Sequence, residues 1–284
     1  MTVCVSGISM EIKASVPLKF LEPFAASPDA PPDISVTVHR GIPALDLSPL
    51  YEEQGIAWYT LPDGRIAFGA EAGGAVAALT VTRPDWSDVS VYLAEGADEA
   101  FWLEKTVGDV IFRSAVIEHA GLVLHASAIK WEGRGLAFSA PKGTGKATHT
   151  DLWVKNEGAV IINGDRPLLT VRDGKILVSG TPWSGASPYR ENVTLPLDML
   201  ILLERGKENY IRRLSTMEGL QWLVPRCSLP YHDKRAMETA MNTFGQILSG
   251  ASMYLLTCNT EENSVRVVKK QLLDSVYSMS QMEI

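Results

Sequence analysis

The sequence feature that most constrains the fold is the glycine-rich stretch at residues 139–148, Ser-Ala-Pro-Lys-Gly-Thr-Gly-Lys-Ala-Thr. A strand-like apolar run precedes it at 135–138, and a helix-like run follows it at 148–155. Gly143 and Gly145 can adopt backbone angles that are closed to other residues, so successive N–H groups can converge on phosphate oxygens at the start of the helix. Lys146 would add a full positive charge there. The stretch therefore predicts a phosphate-binding loop.

Two positions depart from the G-x-x-x-x-G-K-[ST] pattern of such loops. Ala140 stands where the first Gly is usual, and Ala147 stands where a Ser or Thr would hold Mg²⁺. The alternative is a glycine-rich turn between a strand and a helix that binds nothing. The residues downstream of the loop count against that alternative.

Composition and charge place the chain among ordinary globular proteins. Its 284 residues are 46% hydrophobic, enough for a large core. The net charge of −7 argues against a general binder of nucleic acid or anionic membranes. The three cysteines are far apart and lack C-x-x-C spacing, which favours a reducing cytoplasm, and we see no export signal or membrane span.

The pattern along the chain predicts an α/β (α+β) fold with an N-terminal β-rich subdomain at residues 1–96. Short β runs between residues 56 and 93 are separated by turn signals, which is typical of an antiparallel meander. Residues 98–120 have helical periodicity, and we predict a linking helix at 97–121. Strands and helices alternate from residue 122 to 284, which predicts a mixed α/β core. Whether residues 1–96 are structural, dimerising or acceptor-docking stays open.

Two titratable residues are predicted beside the loop. His125 falls in a predicted strand at 122–130 that neighbours the loop strand; the alternative is a hydrogen-bonded core or edge histidine. Asp165 ends the apolar run 158–165, as a buried strand does when it delivers an acid to a phosphate-bound metal. Because Arg166 follows at once, an ion pair at a strand end is the alternative for Asp165.

A long polar and aromatic segment follows the next hairpin. Residues 180–192 are too long for a tight turn, and loops of this kind are often functional. Trp183 offers apolar surface with a polar edge, and Arg190 can bind a phosphate or a carboxylate in bidentate fashion. We predict that Trp183, Ser184 and Arg190 contact the acceptor substrate. The alternative is that Trp183 packs the hairpin and Arg190 is a solvated charge.

Four ordered motifs resemble the catalytic core of the HPr kinase/phosphorylase family, which is in turn similar to phosphoenolpyruvate carboxykinase. They are Leu124-His-Ala-Ser-Ala-Ile129, the run from Ala137 to Lys146, Ile162-Asn-Gly-Asp-Arg166 and the Gly-Thr-Pro-Trp-Ser-Gly stretch from Gly180. The resemblance covers about residues 122–214 and does not reach the first hundred. It implies an HPr kinase-like P-loop core at 122–284 that transfers the terminal phosphoryl group of ATP to a serine hydroxyl. Some relatives resemble kinases that tailor ribosomal peptides such as lasso peptides.

The resemblance also implies roles for individual residues. His125 would lie beside the γ-phosphate, and Asp165 would act as base, as ligand of Mg²⁺ or as both, since Gly164 replaces the first of two adjacent carboxylates in the family. Thr148 is the candidate hydroxyl ligand of the metal in place of Ala147. The phosphates of ATP would be bound by Lys142, Gly143, Thr144, Gly145, Lys146, Ala147 and Thr148.

From these observations we predict a cytoplasmic kinase that depends on ATP and Mg²⁺ and acts on a Ser or Thr hydroxyl of a peptide or protein. His125, Asp165 and Lys146 are the predicted catalytic residues. We expect no nucleic-acid or membrane partner, and the sequence leaves a homo-oligomer open. A non-catalytic nucleotide-binding scaffold and a small-molecule kinase are the alternative functions.

Overall fold

The computed structural model describes residues 1–27, 30–44, 48–53, 55–141 and 143–280. Within this part of the chain the fold is mixed α/β, with strands in two large sheets. The chain divides into two compact units, one of residues 1–121 with 229–241 and one of residues 122–228 with 242–284. The segment 229–241, predicted from the sequence to belong to the 122–284 core, is thus part of the first unit.

The first unit is built on an eight-stranded sheet. Its strand order is β1-β2-β3-β8-β7-β6-β5-β4. From β4 to β8 each strand pairs antiparallel with the next, which is the meander predicted from the turn signals. Gly73 and Gly74 form the two-residue turn of one hairpin, and both have positive φ, as this turn type requires. The strands are β1 (Thr2–Val5), β2 (Ile8–Lys13), β3 (Ile34–Arg40), β4 (Tyr51–Glu53), β5 (Ile56–Thr60), β6 (Ile66–Ala72), β7 (Ala75–Thr82) and β8 (Asp88–Leu93).

The predicted single helix at 97–121 is wrong, because the structure has two helices there. They are α1 (Glu99–Lys105) and α2 (Val107–Ala115), followed by a 3-10 turn at Val116–His119. The break falls at Thr106, whose φ of −136° and ψ of −79° are not helical. A β-branched pair followed by Gly108 has low helix propensity, so the helix breaks where its intrinsic stability is least.

The second unit contains a sheet of the order β12-β10-β11-β15-β14-β13-β9, with β17 beside β15 and β16 beside β17. Its strands are β9 (Gly121–Val123), β10 (Ala126–Trp131), β11 (Arg134–Ser139), β12 (Val160–Asn163), β13 (Leu168–Arg172), β14 (Lys175–Ser179), β15 (Thr194–Arg205), β16 (Tyr210–Arg213) and β17 (Met253–Cys258). The remaining helices are α3 (Lys146–Glu157), α4 (Thr216–Leu223), α5 (Lys234–Gly250) and α6 (Asn263–Ser280), and the division between the units falls within α5.

The long strand β15 positions the loop strand. Its C-terminal part pairs in parallel with β11 on one side and with β17 on the other, and residues 199–203 are fully buried. The helix α3, which follows the loop, packs Trp153 into a core with Phe138, Ile201 and Val268. The loop between β11 and α3 is therefore held at both ends by the core.

No helix in the described part of the chain is both long and apolar enough to cross a membrane.

Candidate active site

The glycine-rich stretch joins a strand to a helix, as its sequence predicts. β11 ends at Ser139, and α3 begins at Lys146. Gly143 has a φ of 79° and Gly145 a φ of 120°, values that residues with side chains rarely adopt. The carbonyl of Gly145 accepts the first helical hydrogen bond, from the N–H of His149 at 2.9 Å. The first turn of α3 therefore points its N–H groups out of the helix end, where an anion can bind.

Arg205, at the end of β15, forms hydrogen bonds with the backbone of this loop. Its Nε donates to the carbonyl of Thr144 at 3.2 Å, and its guanidinium also donates to the carbonyl of Gly143. One planar guanidinium thus fixes two successive peptide groups of the loop. Sequence reasoning missed Arg205, and a spacing of 62 residues from its partner leaves no local signal.

The three predicted catalytic residues lie in one hydrogen-bonded row. Lys146 Nζ lies 2.7 Å from His125 Nε2, and His125 Nδ1 lies 3.1 Å from Asp165 Oδ1. Since Lys146 donates, Nε2 of His125 must accept, and its Nδ1–H then donates to the carboxylate. Asp165 therefore sets the tautomer of His125 and leaves its Nε2 lone pair facing Lys146.

His125 is not within a strand, which corrects the prediction of one strand at 122–130. It lies in the gap between β9 and β10. Its N–H donates to the carbonyl of Arg226 at 2.7 Å, and its carbonyl accepts from Ser139 Oγ at 2.8 Å. These two bonds fix the backbone that carries the imidazole.

Asn163 fixes the backbone turn that carries Asp165. Its Oδ1 accepts from the N–H of Asp165 at 3.0 Å and from that of Arg166 at 2.6 Å, so the chain turns sharply as β12 ends. Its Nδ2 donates to the carbonyls of Thr181 and Trp183. This fully buried amide therefore joins the Asp165 turn to the long loop. The Asn-Gly-Asp sequence is a signal of such a turn that sequence reasoning left unused.

The environment of Asp165 favours its charged form. Burial alone would raise the pKa of the carboxyl, but the hydrogen bond from His125 and the charges of Arg166 and Lys146 more than offset burial and lower the pKa. Arg166 Nε lies 3.4 Å from Asp165 Oδ2, so the ion pair offered as an alternative exists beside the histidine contact.

The environment of Lys146, in contrast, disfavours the charged form of its side chain. Burial lowers its pKa, Asp165 counteracts that effect, and the positive charge of Arg226 adds to it. The guanidinium of Arg226 stacks on Trp222 at 5.0 Å, and its buried Nε has no hydrogen-bond partner among the residues that the structure describes. Lys146 and Arg166 thus act on the Asp165 carboxylate, and Arg226 acts in turn on Lys146, an excess of positive charge that suits a polyanionic ligand.

The predicted acceptor segment approaches Asp165 at Gly185, and contacts of Trp183, Ser184 and Arg190 with an acceptor stay a prediction. Trp183 and Ser184 are each only 3% exposed, and Arg190 donates to the carbonyl of Pro182 at 3.2 Å. A Cβ at Gly185 would lie 2.4 Å from Asp165 Oδ2. The absence of a side chain at Gly185 therefore lets the loop cover the carboxylate.

Gly164 has a similar constraint. A Cβ there would lie 1.9 Å from Ser187 Oγ and 2.5 Å from Ser187 Cβ. The N–H of Gly164 also donates to the carbonyl of Tyr189. The loop thus occupies the space that a second carboxylate at position 164 would need.

The predicted metal ligands give a sparse donor set. Within the described residues, no group of three or more His, Cys, Asp or Glu side chains is arranged to hold a metal. Asp165 is engaged at both oxygens, and Ala147 and Thr148 are exposed at the start of α3. Mg²⁺ in nucleotide sites is often held by one carboxylate together with phosphates. These residues therefore fit Mg²⁺ only as an ion that arrives with a nucleotide.

Lys142 lies outside the described residues, so its contact with phosphate stays a prediction.

Comparisons with known proteins include a distant likeness to a solved structure. No protein-family model matches the chain, and a search of curated proteins found no match. Among solved structures, the HPr(Ser) kinase/phosphatase from Coxiella burnetii is similar at 9% identity and a TM-score of 0.34. The likeness covers 54% of this chain and 97% of that one. No inference about activity rests on it, and the resemblance of the motifs to that family stays a prediction.

Proposed function

We propose that this chain is a kinase that transfers the γ-phosphoryl group of ATP, carried with Mg²⁺, to a Ser or Thr hydroxyl of a peptide or protein. The observation that carries the proposal is the row Lys146–His125–Asp165 at the start of the loop helix, with contacts of 2.7 Å and 3.1 Å. A cation, an imidazole and an ionised carboxylate within hydrogen-bond reach at a helix N-terminus can neutralise phosphate charge and accept a proton, as phosphoryl transfer needs.

The loop and its helix would bind the phosphates. N–H groups of the first turn of α3 and the Lys146 side chain would contact the β- and γ-phosphates, and Arg226, whose charge acts on Lys146, would add positive charge. Arg205 would keep the loop carbonyls turned away from the ligand. Mg²⁺, with Asp165 as its protein ligand, would neutralise part of the phosphate charge.

Asp165 and His125 would handle the proton of the acceptor. As the acceptor oxygen bonds to the γ-phosphorus and the bond to the β-phosphate oxygen breaks, the hydroxyl proton would pass to the Asp165 carboxylate, leaving ADP. His125 would orient that carboxylate through its Nδ1–H. The closeness of Gly185 to Asp165 and of Ser187 to Gly164 supports the assignment of the loop of residues 181–190 to the acceptor side.

Transfer of label from [γ-³²P]ATP to an array of Ser- and Thr-containing peptides tests the proposal. Asp165→Asn keeps the size of the side chain and should reduce transfer by about 10²-fold or more. Asp151→Asn, which changes an exposed carboxylate of α3, is the matched control and should transfer normally. Equal transfer by both variants would remove Asp165 from the chemistry.

A non-catalytic nucleotide-binding scaffold is the second candidate. Two observations favour it: the lack of a hydroxyl at Ala147, and the space at Gly164 that Ser187 fills. Under this alternative ATP binds through Lys146, but no peptide of the array is labelled by the wild-type chain.

A further inference from the structure

The first unit carries a groove that the proposed phosphoryl transfer does not use. The groove has a volume of about 650 Å³ and lies between β4 with the residue before it and the start of α5. Helix positions 234, 237, 238 and 241 line one side at the spacing of a single helical face. A smaller hollow of about 280 Å³ shares Leu50 and Lys234 with it.

The groove exposes large apolar side chains. Leu50 is 65% exposed, Tyr231 is 53% exposed and Met241 is 39% exposed. Scattered exposed apolar residues are normal on a protein surface, but a cluster in one concave site is typical of a binding surface. Met237 lies in the same groove, and methionines adapt to varied partners.

The groove lining carries the carboxylates of Asp233 and Glu238, and Glu52 and Glu53 are exposed on the adjoining strand β4. Lys234 is the ammonium group of the lining, while Arg235 is already paired with Glu118 at 2.8 Å. His232 adds no compensating charge at neutral pH, because burial lowers its pKa to about 4. Its ring stacks on Trp58.

The backbone of β4 offers a second kind of contact. Within the described residues, β4 is the last strand of its sheet. It pairs with β5, with Tyr51 opposite Trp58 and Glu53 opposite Ile56. The N–H and C=O groups on the other edge of such a strand can pair with an added strand.

We propose that this groove binds an extended peptide segment that carries both basic and apolar residues. The segment would pair with the open edge of β4, place its apolar side chains against Leu50, Met237 and Met241, and direct its basic side chains toward Glu52, Glu53 and Glu238. This proposal does not rest on the proposed kinase activity, so it stands even where that proposal fails.

The test is fluorescence anisotropy of the full-length chain, without nucleotide, using a fluorescein-labelled octapeptide of alternating Lys and Leu. We expect saturable binding that is at least about tenfold tighter than for the matched Glu–Leu octapeptide. Glu238→Lys should weaken binding of the Lys–Leu peptide about tenfold, and so should Leu50→Ser combined with Met241→Ser.

Two control variants distinguish binding at the groove from effects of the protein's overall charge and surface hydrophobicity. Glu71→Lys makes the same charge change at an exposed site outside the groove, and Met217→Ser removes an apolar side chain that is 64% exposed elsewhere. Neither should change the affinity. The proposal is overturned by absence of saturable binding, by equal binding of the Glu–Leu peptide, or by equal weakening in the controls. Self-association in sedimentation that the groove variants abolish would assign the groove to a second copy of the chain instead.

Discussion

Acidification should destabilise the fold through His149, a fully buried residue of the loop helix α3. Its Nε2 accepts from Trp153 Nε1 at 3.3 Å, and its Nδ1 lies 3.4 Å from Ser264 Oγ. The ring thus links α3 to the first turn of α6. Burial lowers the pKa of His149 from an ordinary value of 6.5 to about 4.

The direction of this pH effect on stability follows from the protons that the folded and unfolded chains bind. Between about pH 6.5 and about pH 4 the unfolded chain protonates this histidine and the folded chain does not, so the free energy of unfolding falls as the pH falls. With these two pKa values, the loss between about pH 8 and about pH 5 is about 2 kcal/mol, and the full loss is about 3 kcal/mol. Asp165 acts in a different window, because its pKa lies below the ordinary value of 3.8.

The assay is urea unfolding of the wild type and of His149→Gln across this pH range. Whatever stability the glutamine variant has, its residue 149 does not titrate, and the contributions of the other titrating groups cancel in the difference between the two proteins. That difference should shrink by about 2 kcal/mol from about pH 8 to about pH 5. A difference that stays constant with pH would refute the assignment of His149 as a buried neutral residue.

Three further predictions concern the loop and the site. Gly164→Asp should cost about 1–3 kcal/mol of stability in urea unfolding, because its Cβ meets Ser187, and Ser187→Gly in the same chain should recover most of the loss; additive effects would contradict this. Arg205→Ala should weaken ATP binding about tenfold in calorimetry by freeing the loop carbonyls, whereas Arg213→Ala, at an exposed arginine of β16, should not. Ala147→Ser should raise the apparent affinity for Mg²⁺ in the transfer assay by supplying a hydroxyl ligand, and an unchanged Mg²⁺ titration would show that this position needs no such ligand.

Local signals were enough to predict the loop and its flanking elements. Gly143 and Gly145 have the positive φ values that the pattern requires, and the carboxylate of Asp165 does follow a buried strand. The proximity of His125 to the loop was also predictable, because β10 and β11 form a hairpin. These features depend on neighbours in sequence, where turn and periodicity signals are strong.

Contacts between residues distant in sequence could not be predicted in this way. Arg205 reaches the loop only because β15 pairs in parallel with β11, and Arg226 reaches His125 only through a 3-10 turn. The role of Trp183 was uncertain for a related reason. An aromatic residue in a polar loop suggests a binding surface, but the hydrogen bonds from Asn163 draw the loop inward and bury the ring.

Calorimetric titration with ATP and Mg²⁺ of the wild type, Lys146→Ala and Lys155→Ala tests the central claim most directly. Both lysines lie on α3, but only Lys146 is at its N-terminus beside His125, while Lys155 is exposed in its last turn. We predict binding by the wild type and by Lys155→Ala with equal affinity, and a loss of about tenfold or more in Lys146→Ala. Equal affinity of all three proteins for ATP would contradict the assignment of this loop as the phosphate site.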